Sequence, residues 1–256
     1  MSAEGLYVYG IVRARTPLPP GAAGVGSPPA ALRTVGTDSV AAVVSAAPAQ
    51  LRARRRDLLA HQNLLLGLAE AGPVLPMRFG AVAPDEEALR AQLAAAEASH
   101  LATLDQLAGH VEINVKALPA RDSLASLVAG DSTVRRLRDE ARRRPGYEAD
   151  VRLGQAVASA LSRRAAEAGR KILRDLASMA RATAAGPDVQ GCALNVSFLV
   201  GRSDADRFRA ATERFAAAHR EHVELRLAGP LPCYSFVGTS ANPGAPATPP
   251  VAAGGA

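Results

Sequence analysis

Val74-Leu75-Pro76-Met77-Arg78-Phe79-Gly80 decides how this chain is read, because it sits between two helix signals. Gly72-Pro73 stops an amphipathic stretch over 49–71. Pro84-Asp85-Glu86-Glu87 opens the next helix, with a proline near the first turn and acids against the positive end of the dipole. Residues 74–82 therefore read as a strand between two helices, with Leu75, Met77 and Phe79 on one face and Arg78 on the other. A lone cation in so apolar a strand is expected to be buried against an acid, as a forked brace between strand and helix.

Upstream of that strand, Leu6–Val12 alternates in strand fashion and runs into the loop signal Pro17-Leu18-Pro19-Pro20-Gly21. Gly21, Gly24 and Gly26 do not make a phosphate loop, since prolines surround them and no helix start follows closely. Residues 32–46 form a second β region. In the helix over 49–71, Leu51, Leu58 and Leu65, with Leu59 and Leu66, suggest a buried stripe. His61, alone near its middle, reads as a structural side chain. Downstream, a helix to about Leu107 ends at Gly109, and Val111, Ile113 and Val115 alternate in another strand. The order β-β-α-β-α-β over 1–120 suits a modified ferredoxin-like sheet with both helices on one face.

The second half, 121–237, reads as another α+β domain. Short helices over 121–145 carry a basic cluster of Arg135, Arg136, Arg138, Arg142, Arg143 and Arg144, broken by Pro145-Gly146. A long amphipathic helix is expected over 147–184, exceeding about 50 Å at roughly 1.5 Å per residue. A closing β-α-β follows: a strand over 192–200, a helix capped by Ser203-Asp204-Ala205-Asp206, and a strand from Val223 to Leu227. The tail 238–256 is Gly, Pro, Ala, Ser and Thr, a composition expected to be disordered.

Composition narrows the chemistry. With 256 residues, 48% hydrophobic but only 4% aromatic and no tryptophan, the core must be mostly Ala, Leu and Val. No apolar run reaches the roughly 20 residues of a membrane span, and no signal peptide is evident, so a cytoplasmic protein is expected. Cys192 and Cys233 read as small buried hydrophobes. The net charge of +6 is almost all arginine and permits nucleic-acid binding. The arginines, however, are spread over helices and interleaved with acids, and no strand pairs basic with aromatic residues for stacking bases. An arginine-rich ferredoxin-like nucleic-acid module is therefore the alternative reading. His219 and His222 have H-x-x-H spacing but no third ligand at motif distance. No nucleophile elbow, P-loop, zincin or paired-cysteine motif occurs. No enzyme, cofactor or metal is expected.

One ordered set of segments resembles the GvpF/GvpL family of gas vesicle proteins. It comprises Leu6-Tyr7-Val8-Tyr9-Gly10-Ile11-Val12, His61 in the first helix, Val74–Gly80 before an acidic helix start, Leu194-Asn195-Val196-Ser197-Phe198-Leu199-Val200, and Gly229-Pro230-Leu231-Pro232-Cys233-Tyr234-Ser235-Phe236-Val237. The chain departs from that family's pattern at Leu231 and Cys233, where a tryptophan and a further proline are usual. It departs again at Ala81 and Ala83, in place of threonine and phenylalanine. The resemblance implies a non-enzymatic accessory or minor structural protein of two α+β domains, located at the gas vesicle in the cytoplasm. Its implied partners are the major gas vesicle shell protein and other accessory proteins. Arg78, Phe79, Tyr234 and Phe236 are the candidate partner-binding or structural residues.

Overall fold

In the computed structural model, which describes residues 5–50, 52–120 and 124–238, the chain builds two antiparallel sheets, one in each of two units. The tail from 239 onward, most of the segment expected to be disordered, and Leu51 of the expected stripe lie outside the described residues.

The first unit comprises the residues up to Gly109 and those from Pro232 onward. Its strands are β1 (Leu6–Arg13), β2 (Arg33–Gly36), β3 (Val40–Ala46), β4 (Leu75–Pro76) and β5 (Val82–Ala83). Its helices are α1 (Arg55–Ala71), α2 (Glu86–Ala95) and α3 (Glu97–Leu107). β1 is central, with β3 on one side and β4 and β5 on the other, and β2 beyond β3. A bulge at Tyr9 shifts the β1–β3 register between Val8 and Gly10, which brings Tyr7, Tyr9 and Val12 into one core cluster with Leu64, Leu65 and Leu68 of α1. Leu6, Val8 and Ile11 on the other face are buried as well, and α2 and α3 pack on β1, β2 and β3. The sheet is thus covered on both faces rather than one, which is why β1 is buried from Leu6 to Val12.

Two helix readings change. The stretch 84–107 divides at Ala96 into α2 and α3, and Asp85 caps α2 by accepting from the Ala88 N–H at 2.7 Å. In α1 the buried stripe is Asp57, His61, Leu64, Leu65 and Leu68, while Leu58 and Leu59 are exposed. The leucine heptad misled because the inward face includes a carboxylate and an imidazole.

The second unit is His110–Leu231. It contains β6 (His110–Pro119), α4 (Leu124–Gly130), α5 (Ser132–Arg143), α6 (Tyr147–Ala177), β7 (Ala182–Ala185), β8 (Leu194–Gly201), α7 (Ala205–Ala218) and β9 (Val223–Leu231). The strand expected to close the first sheet is β6, and it pairs with β8 and β9 instead. The division therefore falls after Gly109, not at 120, and the residues from Pro232 return to the first unit. With α4 and α5 set aside as an insertion, the order is β-α-β-β-α-β and the sheet order is β7-β8-β6-β9, the regular ferredoxin-like topology. Val111, Ile113, Val115 and Ala117 alternate toward Ile172 and Leu176 of α6 and Phe208 of α7. α4 and α5 close a small separate cluster of Leu127, Val134 and Ala160. α6 runs 31 residues, about 46 Å, and stops short of 184 because 182–185 become an edge strand. Asp204 gives α7 no side-chain cap, since a 3-10 turn over Arg202–Asp204 precedes it. Among the described residues no helix is long and apolar enough to cross a membrane.

Candidate functional site

The segment 74–82 is not one strand. β4 pairs Leu75 and Pro76 with Ile11 and Gly10, whereas β5 pairs Val82 and Ala83 with Tyr7 and Leu6. Between them the chain holds three residues more than an unbroken ladder would need, and Arg78-Phe79-Gly80 loops out. The loop is pinned at its neck: the Met77 N–H donates to Tyr9 O at 2.9 Å and the Val8 N–H donates to Ala81 O at 2.9 Å. Gly80 makes the turn with φ of 96°, in the region that a side chain disfavours.

This loop overturns the expected brace. Arg78 is exposed and makes no ion pair among the described residues. Leaving the strand at the bulge carries its side chain into solvent, where no acid has to be recruited. Phe79 is half-buried, its ring edge-on to Tyr7 and His61, each with centroids 5.8 Å apart.

Beneath the loop lies the imidazole of His61, itself buried. Its Nε2 is 3.0 Å from Met77 O, a pure acceptor, so Nε2 carries the proton. Nδ1 is then the acceptor for the Tyr7 hydroxyl at 2.9 Å, and Tyr7 Oη in turn accepts from the Gly80 N–H at 3.2 Å. Burial pushes the His61 pKa down and the Tyr7 pKa up, so both stay neutral. The Tyr234 hydroxyl stands 3.4 Å from the same Nε2, and Tyr9 stacks obliquely at 5.6 Å. Three of the chain's four tyrosines thus surround one histidine.

A second set of bonds ties the loop before β2 to this core. The Val25 N–H donates to Tyr9 Oη at 2.7 Å, Tyr9 Oη is 3.0 Å from Ser45 Oγ, and the Gly26 N–H donates to Asp57 at 3.0 Å. The Gly26 amide is the main reason that the Asp57 carboxyl lies below its usual range; burial opposes it and Arg56 assists. Among the described residues no buried side-chain nitrogen or oxygen lacks a partner.

Of the residues singled out from sequence, Phe79, Tyr234 and His61 come together, with Arg78 on the rim. Tyr234 and Phe236 lie on a 3-10 turn after β9; Tyr234 is 38% exposed and Phe236 half-buried. Sequence reasoning missed Ser45, Asp57 and the pairing of Tyr7 with His61. The signal for the last was available: two tyrosines two apart in an otherwise aliphatic strand, in a chain with 4% aromatics. His219 ends α7 and His222 lies in the turn beyond it. Among the described residues no group of three or more His, Cys, Asp or Glu could hold a metal ion. The arrangement is a bonded support, with His61 and Tyr7 neutral, under an exposed arginine–aromatic loop.

The family model described as gas vesicle synthesis protein GvpL/GvpF matches residues 5–238. The chain is 41% identical over 235 residues to gas vesicle protein F of a Streptomyces species, covering 90% of this chain and 98% of the relative. It is 28% identical over 246 residues to gas vesicle protein F2 of Halobacterium salinarum, with 93% and 94% covered. The crystal structure of GvpF from Anabaena superposes with a TM-score of 0.70 at 25% identity, over 91% of this chain and 98% of that one. GvpF from Microcystis aeruginosa has a TM-score of 0.68 at 22% identity, with 91% and 99% covered, and shares the fold. Matched along nearly its whole described length, the chain belongs to the GvpL/GvpF family of gas vesicle proteins.

Proposed function

We propose that this protein assists gas vesicle assembly in the cytoplasm by binding the major shell protein, with other accessory proteins joining, and that it catalyses no reaction. The observation that carries the reading is the looped-out Arg78-Phe79-Gly80 beside Tyr234, on a family member, over a support with no free acid or base. Arginine and aromatic side chains dominate contact sites, because they bring large area and directed bonds at low entropic cost. Phe236, on the same turn as Tyr234, extends the surface. A shell subunit that assembles through apolar surface aggregates when left alone, and a protein that covers such surface meets that need.

The test is co-purification of the tagged full chain with the major shell protein, alongside gas vesicle formation in cells lacking this gene and any paralogue. The variant Arg78→Glu should keep its melting temperature and lose co-purification. Normal vesicles in the deletion strain, together with no shell-protein capture by the unaltered chain, would overturn the proposal. Steep, salt-dependent binding of nucleic acid in place of shell protein would favour the arginine-rich alternative.

A further inference from the structure

β7 ends the second sheet and, among the described residues, pairs only with β8. The Gly186 N–H donates to Asn195 O at 2.9 Å, in step with the β7–β8 register. Antiparallel pairing directs the backbone groups of alternate residues to the same side. Ala182 and Ala184 therefore face β8, and Thr183 and Ala185 turn their N–H and C=O groups to the free edge. Natural edges are commonly blunted by a charge or a proline within the strand. The Ala182-Thr183-Ala184-Ala185 strand has neither.

Beside this edge a groove of about 540 Å³ opens between β7 and α6. Leu173, Ala177, Val196 and Phe198 line it, with Thr183 at its lip. It stays open because the side chains of β7 are too short to fill the space under the helix. Arg170 and Arg174, one helical turn apart, stand on its rim, with Glu167 toward one end. Neither arginine has an ion-pair partner among the described residues.

We propose that this edge is a docking site for an extended segment of a partner protein. The segment adds as a strand to β7, places alternate apolar side chains in the groove, and sets a carboxylate against Arg170 and Arg174. Main-chain bonds to Thr183 and Ala185 supply affinity, and the groove and arginines supply selectivity. A second copy of this chain fits poorly. Its own β7 would bring only alanine and threonine to a groove that needs larger groups, and would bring two arginine rims together. This surface belongs to the second unit and does not depend on the Arg78 loop.

The probe is a fluorescein-labelled synthetic decapeptide with valine at alternate positions, glutamate in place of the last valine, and threonine between. Fluorescence anisotropy with the full chain should show saturable binding. Binding should weaken about tenfold or more when alternate peptide amides are N-methylated, or when the glutamate is replaced by lysine. Ala185→Pro should do the same, because that N–H faces away from β8 and its loss leaves the β7–β8 ladder intact. If that variant does not fold, the double variant Arg170→Glu, Arg174→Glu decides, since it should prefer the lysine peptide. Absence of saturable binding, or equal binding of the N-methylated peptide, overturns the proposal. Concentration-dependent dimerisation that Ala185→Pro abolishes also overturns it, in favour of a second copy.

Discussion

His61 is held by three kinds of contact at once: a carbonyl on Nε2, a hydroxyl on Nδ1 and aromatic rings on its faces and edges. Tyr7→Phe removes the hydroxyl that joins the Gly80 N–H to Nδ1 and leaves the buried imidazole nitrogen without that partner. We expect a loss of about 1–3 kcal/mol in denaturant unfolding, with the fold retained. The same environment sets a pH dependence. His61 and His100 both have imidazoles pushed by burial below the ordinary value of 6.5. Their neutral forms are favoured on folding, so that stability is intact above 6.5 and falls as pH drops from there toward the lowered folded values. Asp57, held below 3.8, adds a further loss at lower pH, as its own folded value is passed. Thermal melts from pH 7.5 to 5 should show the histidine phase, and His61→Ala or His100→Ala should each flatten it. Arg78→Ala, in contrast, should change stability by no more than about 0.5 kcal/mol. A loss of several kcal/mol would mean a buried ion pair after all.

At the scale of elements, alternation in the sequence located the strands and could not say which sheet each would join. Val111, Ile113 and Val115 show the right period, yet nothing in that period separates a last strand of one unit from the first strand of the next. Nor does periodicity reveal a loop-out: Leu75, Met77 and Phe79 keep period two, while the register on β1 shows that the ladder stops at Pro76. As an isolated histidine, His61 reads in sequence as a structural side chain, and the fold buries it on the inward face of α1, where Asp57 stands one turn earlier. The partners of His61 come from β1, from Met77 and Phe79 after β4, and from the turn after β9. How the elements are seated makes two glycines act in opposite directions. A Cβ on Gly10 would stand 2.9 Å from Val74 Cγ2, 3.0 Å from Leu65 Cδ2 and 3.0 Å from Leu75 O. A backbone oxygen cannot step aside, so Gly10→Ala should cost about 1–3 kcal/mol by forcing α1 and β4 away from β1. Gly154, inside α6, has open space around it. Gly154→Ala should therefore stabilise by about 0.5–1 kcal/mol, by removing backbone freedom from the unfolded chain. Urea titrations of the two variants should show midpoints moved in opposite directions.

At the scale of the whole molecule, the chain leaves the first unit after Gly109 and returns to it at Pro232. Two α+β units were legible from the order of the elements, but this return was not, since the closing segment reads as the continuation of β9. The consequence is testable with fragments. Residues 110–231 contain a complete β-α-β-β-α-β sheet with its own apolar cluster on α6 and α7. Expressed alone, they should melt cooperatively. Residues 1–109 alone lack the segment that buries Pro232 and Cys233 and brings the Tyr234 hydroxyl to His61. Joining 1–109 to 232–238 through a short flexible linker should raise the melting temperature above that of 1–109, by roughly 4–8 °C for each kcal/mol regained. Tyr234→Phe in the joined fragment should lower that gain without abolishing it, because burial of Pro232 and Cys233 remains. A fragment 110–231 without a cooperative transition, or a joined fragment no more stable than 1–109, would show that the closing segment belongs energetically to the second unit. In that case, the aromatic surface around His61 would be assembled only in the intact chain.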